Sequence, residues 1–214
     1  MNPIVLTFGG KRLVNSSGKA LFRYGTTVIR GRTYKTVRIG NQEWLAENFQ
    51  YDDGGNYIYT IPSGMYHASE LIFNSVSARR VAALAGEGWR LPSYSDFETM
   101  CTATGVTLLT SGTYQDQART YEVLLGLSDW PYEDSKDSYG FNLLPIPFSS
   151  DGGYSFVDQR TTSNLLTSSN DNNTSMPYRV YINNGIIPET QYHGIYIIAD
   201  SDIIGSIRLV RDIQ

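Results

Sequence analysis

Gly86-Glu87-Gly88-Trp89-Arg90-Leu91-Pro92-Ser93-Tyr94-Ser95-Asp96-Phe97-Glu98 reads as the entrance to a short helix. Pro92 ends the preceding loop and biases Leu91 to an extended backbone. Ser93 is a good N-cap, and Asp96, three residues on, can return the bond in a capping box. Phe97, Met100 and Cys101 then fall on one face at i, i+3 and i+4, and Gly105 supplies the stop. Trp89 stands just outside, where its ring can cover that apolar face. Upstream, the apolar spacing predicts a mainly helical stretch from Tyr66 to Ala85, broken around Asn74 to Ser77 and ended by Gly86 and Gly88.

Towards the N-terminus, Thr36-Val37-Arg38-Ile39 alternates as a half-buried strand and turns at Gly40-Asn41. Trp44 and Leu45 anchor the next stretch, Gln42 to Phe49, and Tyr51 to Gly64 is a polar loop or hairpin. Residues 1–35 stand apart. Ile4 to Phe8, Arg12 to Val14 and Leu21 to Val28 offer short strands, too few to bury a core alone. This segment is expected to dock or oligomerise, with a plain extension of the sheet as the alternative. Towards the C-terminus, Tyr121 to Leu127 suggests a short helix, and Asp129 to Asp137 an acidic loop. Strands are expected at Phe141 to Leu144, Tyr154 to Val157, Tyr178 to Ile182, Ile195 to Ile198 and Ser206 to Val210. Asn183-Asn184-Gly185 is a hairpin signal. Early helices and a β-rich second half make residues 36–214 an α+β domain.

Composition narrows the function. The 214 residues carry 17 basic and 21 acidic side chains, net −4, without blocks, which argues against a nucleic-acid footprint. No apolar stretch is long enough to span a bilayer, and no charged, then apolar leader opens the chain, so neither membrane insertion nor Sec export is expected. Cys101 is alone, which rules out an intrachain disulfide and suggests a buried thiol. Sixteen tyrosines and 20 glycines are unusual; surfaces rich in Tyr, Ser, Gly and Asn give contact area at low entropic cost.

Four signatures follow one another: Val37-Arg38-Ile39-Gly40-Asn41-Gln42-Glu43-Trp44-Leu45-Ala46-Glu47-Asn48, Gly88-Trp89-Arg90-Leu91-Pro92-Ser93, Gly140-Phe141-Asn142-Leu143-Leu144-Pro145, and Gly205-Ser206-Ile207-Arg208-Leu209-Val210-Arg211-Asp212. In this order they resemble the Fibrobacter succinogenes major paralogous domain, common in gut Bacteroidota and their phages. The resemblance covers roughly residues 36–212. It implies a C-type-lectin-like domain with two helices flanking a small, mostly antiparallel sheet. The N- and C-terminal strands would pair, and a long-loop region would present a variable face. The chain departs from the family where cysteines would stand, at Gly86 or its neighbours and at Leu209. Leu166 replaces the tryptophan of the family's aromatic-Trp-Ser-Ser-Thr segment. A member without disulfide or leader fits assembly in a bacterial cytoplasm, as for a phage tail component.

His67 and His193 form no zinc-type grouping with cysteine or aspartate, and no nucleophile elbow or phosphate-cradling loop is present. His67 reads as structural near a helix start, and Glu133, Asp134 and Asp137 as a solvated loop rather than a glycosidase pair. No catalysis, cofactor or metal is expected; Asn170-Asp171-Asn172-Asn173 offers only one carboxylate to calcium. The remaining candidate is a metal-free recognition face in Asn164 to Tyr196. This stretch is dense in Asn, Ser, Thr, Tyr and Ile, as in lectin-like proteins diversified by retroelements; an ordinary Asn-rich loop is the alternative. The expected ligand-binding residues are Asn170, Asp171, Asn172, Asn173, Tyr178, Tyr181, Asn183, Asn184, Tyr192, His193 and Tyr196. Tyrosines would stack on sugar or aromatic faces, and amides would bond hydroxyls. The expectation is a non-enzymatic receptor-binding protein in the tail of a phage or prophage virion. It would recognise a bacterial surface glycan or protein, and residues 1–35 would join other tail proteins or a homotrimer. A bacterial cell-surface or pilus-tip adhesin is the alternative.

Overall fold

The computed structural model describes residues 7–8, 11–12, 24–65, 67–109, 124, 137, 139–147, 162–183, 194–201 and 204–213. In chain order the elements are β1 (Thr7–Phe8), β2 (Lys11–Arg12), β3 (Gly25–Ile29), β4 (Arg32–Ile39), β5 (Gln42–Leu45), β6 (Ile58–Thr60), β7 (Leu71–Asn74), α1 (Ser75–Ala83), α2 (Tyr94–Thr104), β8 (Leu108–Leu109), β9 (Thr162–Asn170), β10 (Pro177–Asn183), β11 (Gly194–Ala199), β12 (Ile204–Gly205) and β13 (Val210–Asp212). Helices among short, mostly antiparallel strands make the fold α+β.

The quoted stretch behaves as its residues dictate. Ser93 Oγ accepts from the Asp96 N–H at 3.3 Å, and the Ser93 N–H donates to Asp96 Oδ2 at 2.6 Å. Gly105 closes α2 in the left-handed region at φ 72°, where a side chain would be strained. Phe97, Met100 and Cys101 are buried together. Burial pushes the Cys101 thiol up to about 12. Trp89 does not cover this face; it joins Ala78, Val81, Ala82 and Leu209 in a separate cluster. Trp44 covers it instead, its ring 5.2 Å from Phe97 and 5.7 Å from Phe141.

β13, β5, β4 and β3 form one sheet in that order, and Val210 and Val37 flank Trp44 across the ladder. The chain's last strand therefore pairs with an early one. The expected boundary between 35 and 36 falls inside β4, and β3 pairs with β4 from Gly25↔Thr36 to Ile29↔Arg32. Residues 25–35 thus share the main sheet, while β1 pairs only with β2 among the described residues. A second sheet runs β8-β11-β10-β9, and a third β12-β7-β6.

Several expected elements are corrected. The helix expected from Tyr66 to Ala85 is a strand followed by a helix: Leu71-Ile72-Phe73 enters β7, and Asn74 caps α1 by accepting the Ser77 N–H at 2.9 Å. A short apolar run flanked by polar residues satisfies either period, and here sheet pairing decided. Phe141 to Leu144 is no strand. Ser206 to Val210 is not one strand either, since Ser206 bridges Leu165 and Val210 begins β13. The backbone between them is still bonded: the Phe49 and Leu45 N–H groups donate to the Ile207 and Leu209 carbonyls at 2.8 and 3.0 Å. Asn183 pairs with Gly194, and the expected turn at Asn183-Asn184-Gly185 lies, beyond Asn183, outside the described residues. The expected elements at Tyr121 to Leu127 and Tyr154 to Val157 lie outside the described residues, Leu124 aside.

Arg208 fastens this seam. It is fully buried; Nε donates to Asn48 Oδ1 at 2.9 Å, Nη1 to the Leu45 and Phe141 carbonyls at 3.2 and 2.7 Å, and Nη2 to the Asn142 carbonyl at 2.9 Å. Asn48 Nδ2 passes the chain of bonds to Glu70 Oε2 at 2.9 Å, and Glu70 Oε1 lies 3.2 Å from His67 Nδ1. Burial pulls the Arg208 guanidinium down to about 10, against the attraction of Glu70 and Asp137, so it stays charged at neutral pH. Asp137, expected in a solvated loop, is buried and accepts the Asn142 N–H at 2.9 Å.

Candidate ligand-binding site

β9 ends at Asn170 and the chain returns as β10 at Pro177, and Asp171 holds the turn between them. Its Oδ2 accepts from the Thr174 N–H at 2.9 Å and hydroxyl at 2.6 Å, and its Oδ1 from the Tyr178 hydroxyl at 2.9 Å. The Asp171 N–H donates to the Met176 carbonyl at 2.8 Å. Asparagine and aspartate favour such turns because the side chain replaces a backbone partner. The Thr174 and Tyr178 donors hold the Asp171 carboxyl below its ordinary range, and the carboxylate raises the Tyr178 phenol in return. Asn172 and Asn173 stand exposed at the tip.

The tip is tied to α2. Ser169 Oγ accepts the Tyr94 N–H at 3.0 Å, one of the donors that a helix N-terminus leaves unpaired. The Tyr94 and Tyr178 rings lie 6.0 Å apart, tilted by 38°. Beside this ring pair opens a cleft of about 500 Å³ lined by Tyr94, Ser169, Asn170, Asn172, Tyr178 and Ile197. Its described lining offers two tyrosines, two side-chain amides and a serine hydroxyl, with no charged side chain among the described residues.

Strand alternation divides the expected residues. Tyr178 packs towards the core cluster of Val180 and Ile182, whereas Tyr181 lies on the opposite face, opposite Asn164 and Tyr196 in the ladder. Tyr196 is 4% exposed, so its ring belongs to the interior and not to a contact surface. Tyr181 is half-buried, with Arg179 Cζ 5.0 Å from its ring centroid, and burial raises its phenol. Asn170, Asp171, Asn172 and Tyr178 are thus brought together with Asn173 beside them, and Tyr181 and Tyr196 are not. Asn183 ends β10, and its side chain, like Asn184, Tyr192 and His193, lies outside the described residues.

Comparison with family models, curated proteins and solved structures finds no match.

Tyr94, Ser169 and Ile197 were not anticipated. Tyr94 was legible only as the residue after a helix cap, and its role depends on the packing of β9 against α2. Among the described residues, no three of His, Cys, Asp and Glu converge as metal ligands, and no helix is long and apolar enough to cross a membrane. A cleft of about 540 Å³ at the C-terminus is lined by Glu43, Glu87, Arg211 and Asp212, but three of these charges are already paired. Arg211 pairs with Glu43 at 2.8 Å, and Asp212 with Arg90 at 3.2 Å.

Proposed function

We propose that this chain is a non-enzymatic recognition protein, a C-type-lectin-like domain in the tail of a phage or prophage that binds a bacterial surface receptor. The observation that carries the reading is the cleft lined by Tyr94 and Tyr178. Aromatic faces flanked by amide and hydroxyl groups suit a polyhydroxylated ring, whose C–H face stacks while its hydroxyls bond. The pairing of β13 with β5 and the two helices beside the sheets support the lectin-like reading, as do the four ordered sequence signatures. The part of residues 1–35 that precedes β3 would attach the domain to other tail proteins or to two further copies, and three weak sites in one particle raise avidity by ~10²–10⁴ when geometry permits.

The test is binding of epitope-tagged protein to a panel of gut Bacteroidota strains, beside Tyr178→Ala and Tyr181→Ala. Strain-selective binding that Tyr178→Ala loses and Tyr181→Ala keeps supports the reading. Equal binding by all three proteins, or turnover of a surface polysaccharide, overturns it.

A further inference from the structure

A second cleft, of about 310 Å³, borders the first and is lined by Arg79, Ala82, Ala83, Trp89, Leu91 and Ser168, with Arg90 at its side. The two meet at the end of β9. Ser168 faces the second cleft, Ser169 and Asn170 line the first, and Arg79 Nη2 donates to Asn170 Oδ1 between them. Their electrostatics differ. Asp96 and Asp212 neutralise Arg90, but Arg79 has no carboxylate partner among the described residues; its bond goes to a neutral amide. Two carboxylates stand beside the tyrosines of the first cleft. Asp171 holds the Tyr178 hydroxyl, and Glu98, after burial, raises the Tyr94 phenol. A negative group on a ligand is therefore favoured where it reaches Arg79 and disfavoured against Asp171 and Glu98. Beyond Arg79, Arg90 and Ser168, the second cleft is lined by the apolar Ala82, Ala83, Trp89 and Leu91.

We infer that the ligand of this surface is a carboxylated oligosaccharide lying across both clefts, with Arg79 bonding its carboxylate and Tyr94 and Tyr178 receiving a neutral sugar ring. The inference rests on the recognition reading above and adds the chemical class of the ligand. An arginine fork matches a carboxylate with two parallel N–H donors, which a lysine cannot reproduce in full.

The experiment measures affinity for a panel of uronic-acid-containing and sialylated oligosaccharides, each beside its carboxyl-reduced counterpart, with an oligoglutamate peptide as the non-sugar anion. Wild type is expected to bind at least one carboxylated member and to lose about tenfold or more on its reduced form. Arg79→Gln, which keeps a donor for Asn170, should erase that difference, and Arg79→Lys should restore part of it. Binding should weaken as salt is raised. Equal affinity for acidic and reduced sugars, or for oligoglutamate, overturns the inference while leaving the recognition reading intact if Tyr178→Ala still abolishes binding. Binding to no carboxylated sugar also overturns it, and the cell panel with Tyr178→Ala then judges the broader reading separately.

Discussion

Arg208 and Asp171 are both charged, and both take several hydrogen bonds, yet they serve the molecule differently. Arg208 is sealed in the interior and reaches Asn48, Leu45, Phe141 and Asn142, segments brought together only by the finished fold. Asp171 lies at the surface and, among the described residues, bonds Thr174, Ser175, Met176 and Tyr178, within its own turn. A buried charge is tolerated when its donors are all used, and removing it strands the partners. A surface carboxylate bonded within its turn fixes only local shape. The seam therefore carries stability, and the 170–178 tip carries shape that the rest of the chain does not need.

The contrast breaks most readily at Arg208. Arg208→Leu is expected to cost about 3–5 kcal/mol in urea unfolding, because Asn48 and three carbonyls lose a buried partner. A cost below about 1 kcal/mol would mean that the seam is held by its apolar neighbours alone.

Asp96 tests a smaller version of the same logic. Burial raises its carboxyl, but Arg90 and the Ser93 donors outweigh burial and hold it below its ordinary value of 3.8. A depressed carboxyl contributes stability fully present above the unfolded value and lost as pH falls through the folded one. Asp96→Asn should cost about 2 kcal/mol at neutral pH and flatten the fall in stability below pH 3.8. An unchanged acid limb in the variant would assign that limb to other carboxylates.

At the tip the effects move from stability to local order. Asp171→Asn should leave the urea midpoint in place while the Thr174 amide exchanges faster and ligand affinity falls. A lowered midpoint would erase the distinction between tip and seam. The smallest effect expected is spectroscopic. In Asp171→Asn the Tyr178 phenol, now raised by the carboxylate, should titrate lower, towards its ordinary value of 10.0.

The same contrast explains what was legible in the sequence. The α2 cap could be read because Ser93, Asp96 and Gly105 act on their own neighbours. Leu71 to Asn74 could not, since a short apolar run becomes a strand only when β6 and β12 pair with it. Tyr178, Tyr181 and Tyr196 look alike in composition, and only strand parity and the pairing of β10 with β11 separate a cleft wall from the interior. Arg208 left one trace, a cation inside the otherwise apolar Ile207 to Val210. Alternation would turn it outward; because the segment is not a strand, it turns inward.

Cys101 is the chain's single thiol, and its burial has a practical consequence. Thiolate is the reactive form, and a group pushed up to about 12 supplies almost none at neutral pH. A cysteine introduced at the exposed tip, as in Asn172→Cys, would therefore be the one site open to maleimide chemistry. A dye or cross-linker could be placed at the mouth of the cleft, to report ligand entry directly, without first removing the native thiol from the core.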